Sequence, residues 1–349
     1  MLERLKSPKF NQAQAQGIVA ALLSALVLGL APTFGKQAIN AGTPALSVVA
    51  LRTALATLGL WLVFSLHPAG RRLFYIYPVG LWGCLAAGVI NGLGSLMYYT
   101  GLARLDASLA QMLYTLYPIF LTLFLRLEGH AISRFTLFRL GLALLAAFLL
   151  TRHGLAQTDW LGAALMVGAG LFYAAHLAVN QRVLYDVPAP TVALYTLTAM
   201  AVTVAAGYLV AGAPALPPNA GAWQAVVLLT IVTVVSRVSL FLGIKRLGGV
   251  QTALIGLSEL LVTVLSAFVL LGEQLTLLQW AGAALLAGSV LLVARERRLG
   301  TLPTPRAWTP LVARGALASG GQIAQATAGG AGEPLEPDRP ATPAAAPPG

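Results

Sequence analysis

The chain has 349 residues, 58% of them hydrophobic and only 9% charged. Soluble domains carry roughly 25% charged residues, so a single water-soluble core is excluded and a polytopic membrane protein is implied. The net charge of +11 is first explained by Lys and Arg in cytoplasmic loops. No basic stretch interleaved with exposed aromatics points to nucleic acid. Cys84 is the only cysteine, which leaves no intramolecular disulfide and no cysteine metal cluster.

Residues 1–16 are polar, with Arg4, Lys6 and Lys9 ahead of the first apolar run. That run, from Gly17 to about Asn40, is too long for a signal-peptide core and reads as the first transmembrane helix. Further spans are predicted at 44–66, 75–101, 106–126, 135–152, 160–181, 190–211, 221–244, 249–271 and 276–294. Each is near the ~20 residues a bilayer requires, which makes ten. Short joints such as HPAGRR (67–72) and DVPAP (186–190) make neighbouring helices antiparallel. With the N-terminus inside, the cytoplasmic loops receive Arg71, Arg72, Arg126, Arg134, Arg139, Arg182, Lys245, Arg246, Arg295, Arg297 and Arg298. The opposite side receives Arg104 and Arg152, an asymmetry that requires an even number of spans. From 297 to 349 an Ala, Pro, Gly and Thr composition predicts a disordered cytoplasmic tail.

A shift of about 145 residues superimposes two halves, 17–152 and 153–296. GLARLDASLAQMLYTLYP (101–118) falls on GIKRLGGVQTALIGLSEL (243–260), so that Leu105 meets Leu247, Tyr117 meets Glu259 and Pro118 meets Leu260. Five helices per half would invert the second half in the membrane, a plan common among secondary transporters, with the substrate site near the midplane. The fold expected is therefore all-α and integral to the membrane, with ten helices as two inverted five-helix repeats.

These residues resemble the EamA-like transporters of the drug/metabolite transporter (DMT) superfamily. The resemblance covers 17–294. It rests on ALVLGLAPTFGKQAINAGTPALSVVALR (25–52) with Gly35, Lys36 and Arg52, on Pro118 in LYPIF, and on Gly272, Glu273, Gln279 and Gly282 in LLGEQLTLLQWAGAALLAGSVLL. The chain departs at Leu28, near which the family often has Trp, and at Leu260, where Pro is usual. The second departure leaves a break in the ninth helix unspecified. The resemblance implies a ten-helix bundle that exports amino acids, other metabolites or drugs through a central cavity.

Glu259, in the middle of the ninth span, is the leading functional residue, because an intramembrane acid is costly unless it faces protein or water. Burial penalises its charged form, which suits proton coupling. Arg237 is expected to hold Glu259 or a substrate carboxylate. Lys36 and Arg52 are expected to snorkel to the headgroups. Asn91, Tyr98, Gln111, Tyr114 and Tyr117 populate spans three and four. Gln111, Tyr114 and Pro118 share a helix face, which fits either a cavity wall or interhelical hydrogen bonding. His176 and Asn180 share a face of the sixth span, His176 more as a satisfied packing residue than as a ligand. Glu128 and Glu273 close their spans as exposed ends. Glycines such as Gly88, Gly92 and Gly94 allow close helix approach.

No nucleotide, hydrolase or metal motif is present. The chain is thus expected to need no cofactor or metal, and not to be an enzyme. The function expected is a secondary active transporter, an exporter of small metabolites such as amino acids. It would work by alternating access, with coupling either to protons through Glu259 or absent. The expected partners are a small-molecule substrate, the lipid bilayer and protons; a homodimer is left open. The alternatives are a non-transporting sensor or scaffold and, behind it, a membrane-embedded lipid enzyme. A bacterial inner membrane with both termini cytoplasmic is the expected location.

Overall fold

The computed structural model describes residues 12–66, 70–127, 134–151 and 159–272, together with 277–278, 281–282, 284–285 and 288. The N-terminal basic residues, Glu128, Glu273, most of the tenth predicted span and the tail lie outside the described residues. The described residues belong to one compact unit within Met1–Pro303. They are helical, with no strand among them.

The helices are α1 (Gln12–Leu28), α2 (Ala31–Asn40), α3 (Ala45–Leu66), α4 (Pro78–Arg104), α5 (Ala107–Tyr114), α6 (Tyr117–Leu127) and α7 (Arg134–Thr151). They continue with α8 (Trp160–Val183), α9 (Ala189–Val210), α10 (Ala220–Leu247), α11 (Gly249–Gly256) and α12 (Ser258–Ser266). Among the described residues, 7 spans are long and apolar enough to cross a bilayer, counting α1 with α2 and α11 with α12 as one each. The fourth predicted span is not one helix but the short pair α5 and α6.

Packing reproduces the repeat. α4 packs against α8 and α9, and its counterpart α10 packs against α1 and α3. Small residues permit this. A Cβ at Gly92 would sit 2.7 Å from Thr203 Cβ, and one at Gly94 would sit 2.8 Å from Phe172 Cβ. Close backbone approach replaces the hydrophobic drive that helices lack inside lipid. Leu58, Leu62, Val63 and Leu66 of α3 and Val202, Leu209 and Val210 of α9 are exposed, as lipid-facing stripes would be.

Three spans are broken mid-way. In the first, Pro32 contributes no N–H and its ring crowds the preceding turn, and the chain turns at Gly29–Leu30. Pro118 acts likewise between α5 and α6. The ninth span breaks at Leu257 although Leu260 replaces the proline. Side chains add to the backbone bonding there: Tyr117 Oη donates to Ala253 O at 3.2 Å, beside Leu257 N, and Ser258 Oγ donates to Ile255 O at 2.8 Å. Gly256 leaves room for the Tyr117 hydroxyl, which a Cβ would strike. A break that the sequence leaves unspecified thus carries one tertiary contact, from Tyr117, and one local contact, from Ser258.

Two further contacts tie the ends of the bundle. Lys36 Nζ donates to Leu102 O at 3.0 Å and to Leu105 O at 2.7 Å, satisfying carbonyls at the end of α4. Gln181 Oε1 accepts from Gly249 N at 2.8 Å at the start of α11. In the repeat Lys36 falls on Gln181, about 145 residues later. The two contacts are thus equivalents at the two helix-to-helix junctions. Lys36 does not snorkel away from the protein; free carbonyls at a helix end are the stronger attraction for a half-buried ammonium.

Candidate functional site

The three breaks converge on one cavity. Pro32 from the first, Tyr114 from the second and Glu259 from the third all line it. The first break is fastened to the third: Thr263 Oγ1 donates to Gly29 O at 2.8 Å, and the Thr33 and Ser266 hydroxyls are 2.7 Å apart. Gly29 has to be glycine for this approach, because a Cβ there would lie 2.6 Å from Val262 Cβ and 2.7 Å from Glu259 O.

The cavity measures about 40 Å³, on a scale where one water needs roughly 10–15 Å³. It therefore has space for a few waters. Its charged walls are Arg52 from α3, Arg237 from α10 and Glu259 from the first turn of α12. These side chains are 5%, 6% and 3% exposed. Gln111 Nε2 donates to Glu259 Oε2 at 3.4 Å, and Gln111 Oε1 accepts from Tyr98 Oη at 3.1 Å. A hydrogen-bonded chain thus runs from α4 through α5 to α12.

Arg237 does not pair with Glu259: among the described residues the recorded ion pair is Arg104–Asp159, 2.7 Å apart. Arg237 Nη1 instead lies 3.4 Å from His176 Nε2, and its guanidinium sits 5.5 Å from the Tyr173 ring centroid. Since Ala87 O, 3.0 Å from His176 Nδ1, can only accept, Nδ1 carries the proton and Nε2 offers its lone pair to the arginine. His176 is a neutral support behind Arg237. Asn180 extends the support, donating to His176 O at 2.9 Å and accepting from Thr196 Oγ1 at 3.2 Å.

Arg52 is also buried rather than snorkelling. Its Nη1 donates to Thr233 Oγ1 at 3.2 Å and its Nη2 to Ser95 Oγ at 3.3 Å, with the guanidinium 4.7 Å from the Tyr99 ring centroid. Arg52 lies seven residues inside α3, about 10 Å along the axis at 1.5 Å per residue, and these contacts hold its guanidinium inside the bundle.

Of the residues singled out in the sequence, Asn91, Tyr98, Gln111, Tyr114, Arg237 and Glu259 line the cavity. Tyr117, His176 and Asn180 do not; they hold the break in the ninth span and the support of Arg237. Arg52, Ser95, Tyr99 and Tyr173 complete the wall and were not legible as site residues. Tyrosine dominates, with Tyr114 edge-on to Tyr98 at 4.9 Å and tilted against Tyr173 at 5.3 Å between ring centroids. Such faces accept cations as well as apolar groups. The arrangement can hold a small molecule bearing both charges and an apolar body. No group of three or more His, Cys, Asp or Glu suited to a metal occurs among the described residues.

Known proteins share this architecture. A solved crystal structure superimposes with a TM-score of 0.63 at 20% identity, covering 82% of this chain and 99% of its own, which shows the fold alone. The uncharacterized transporter YcbK of Bacillus subtilis (strain 168) is 25% identical over 283 residues, 77% of this chain and 89% of YcbK. The profile of the EamA-like transporter family matches twice, over residues 15–152 and 160–295. With both repeats matched and a polar cavity where the broken spans meet, the chain belongs to the EamA-like transporter family of the DMT superfamily and is a multi-pass membrane transporter.

Proposed function

We propose that the protein is a secondary active exporter of small metabolites such as amino acids, working by alternating access in a bacterial inner membrane. Its ten helices form two inverted five-helix repeats, with residues 1–16 and the tail 297–349 cytoplasmic. The observation that carries this reading is the cavity. It is walled by both repeats, it contains a buried acid and two buried arginines, and it lies at three helix breaks. Irregular backbone deep in a membrane protein is tolerated where it lines such a cavity.

In this orientation Lys36 and the end of α4 lie on the outer side, and Gln181 and the start of α11 lie on the cytoplasmic side. Each contact closes one end of the path, so rocking of the repeats breaks one and keeps the other. Glu259 supplies the coupling. A substrate ammonium and a proton compete for its carboxylate, so proton entry from outside displaces the amine and drives export.

The test is counterflow in proteoliposomes loaded with an unlabelled amino-acid mixture and given each labelled amino acid in turn. Transient accumulation above protein-free vesicles is expected for a subset, and truncation after residue 299 leaves it intact. Absence of counterflow across amino acids and other small metabolites, in protein shown to be folded, would overturn the reading in favour of a sensor.

A further inference from the structure

We propose that the cavity recognises its substrate by a carboxylate clamped between Arg52 and Arg237, and therefore takes compact carboxylates and zwitterions and rejects simple amines. The proposal rests on the reading of the cavity as the transport site.

The charge inventory leads to it. The charged wall holds two guanidinium groups and one acid. Even with Glu259 ionised, one positive charge is uncompensated, and with Glu259 neutral two are. Neither arginine has a carboxylate within 4.0 Å among the described residues. Their partners are neutral: two hydroxyls for Arg52, and an imidazole lone pair for Arg237. A buried cation without a counter-charge is strongly unfavourable, so the folded protein retains an unmet demand for an anion.

The donor inventory agrees. Arg52 Nε, Arg237 Nε and the Tyr99 hydroxyl are buried with no hydrogen-bond partner among the described residues, and all three residues line the cavity. Buried donors left unpaired are rare. A planar carboxylate suits guanidinium edges, which present parallel N–H groups. The aromatic packing of both arginines and the hydroxyl and imidazole contacts hold those edges in place before ligand arrives. Arg52 comes from the first repeat and Arg237 from the second, so one carboxylate would bridge the halves that must move. Glu259 and the tyrosine faces then remain for an ammonium or an apolar body, which makes a zwitterion the best-matched ligand and a carboxylate alone an adequate one.

The experiment measures melting temperature of the full chain in detergent against three ligands that share one skeleton: L-alanine, propionate and ethylamine. A bulkier trio, L-leucine, 4-methylpentanoate and 3-methylbutylamine, allows for a larger pocket. Chloride at matched ionic strength is the control. Stabilisation by the amino acid and the carboxylate of at least one trio is expected, with none by the amines. Arg52→Gln and Arg237→Gln should each weaken carboxylate binding by about tenfold to a hundredfold, as loss of charged hydrogen bonds does. Arg→Lys should rescue only part, because it restores charge without the fork.

An amine that stabilises as well as its carboxylate, a chloride effect of equal size, or no response to any carboxylate would each overturn the clamp. The wild-type panel decides the question even if the arginine variants fail to fold. The two readings can fail separately. Carboxylate binding without any counterflow removes transport and leaves the clamp. Counterflow of amines and not of carboxylates keeps transport and removes the clamp.

Discussion

Lys36→Met should unlatch one end of the path and Gln181→Met the other, and the structure sets unequal sizes for the two effects. Lys36 makes two charge-assisted hydrogen bonds, to Leu102 O and Leu105 O. Such bonds are worth about 1.5–3 kcal/mol each against an unmade one. Lys36 is half-buried, so water recovers much of this in the open state, and roughly 1.5 kcal/mol of preference for closure is left. That is about tenfold in the open population. Gln181 makes one neutral bond to Gly249 N, worth about 1 kcal/mol, or about fivefold.

Because Cys84 is the only cysteine, a single reporter thiol is simple to install. Ala169, buried in the cavity wall, becomes cysteine in a Cys84→Ala background, and its reaction with a membrane-impermeant thiol reagent is timed from each side. Lys36→Met should speed labelling from outside, and Gln181→Met should speed it from the cytoplasmic side by less. Unchanged rates from both sides, or acceleration from the wrong side, would refute the latch reasoning and the inverted topology on which it depends.

Other expectations follow from single contacts. Gly29→Ala inserts a Cβ against Val262 Cβ and Glu259 O. Overpacking of about 1–3 kcal/mol should lower the melting temperature by about 3–10 °C, and an unchanged melting temperature would show that the first break is not tightly packed. His176→Phe preserves shape but removes the acceptor of Arg237 Nη1; transport should fall by about tenfold or more, whereas wild-type flux would place His176 outside the site. The Asp159 carboxyl is held below its ordinary range by the Gly162 N–H and then by the Arg104 guanidinium. Its contribution to the start of α8 is therefore complete above roughly pH 4, the unfolded value, and is lost as pH falls through the lower folded value. Melting curves of wild type and Asp159→Ala should converge in acid, and a gap independent of pH would contradict the pairing.

Much of this site was written in the chain as polar residues in apolar spans. Glu259, Arg237 and Gln111 stand out there because membranes tolerate such groups only with partners or water. Arg52 was missed because its nearness to a span end in sequence suggested snorkelling, whereas its partners Thr233 and Ser95 are distant in the chain and lie inside the bundle. Tyr99 and Tyr173 look like core aromatics, and only their place beneath two guanidinium groups distinguishes them. The break at Leu257 had no proline to mark it. It carries a contact from Tyr117, about 140 residues earlier in the chain, which local pattern cannot show. The pairing of Glu259 with Arg237 failed for a related reason: the sequence shows that a buried charge needs company, but not that His176 and Gln111 supply it.

The most direct test of the central claim is amino-acid flux in proteoliposomes with and without an imposed pH gradient, for wild type and Glu259→Gln. Wild-type flux should follow the gradient, and a Glu259→Gln protein should still fold and exchange substrate but no longer respond to pH. Gradient-driven flux that persists undiminished in Glu259→Gln would contradict it and return the buried acid to a structural role.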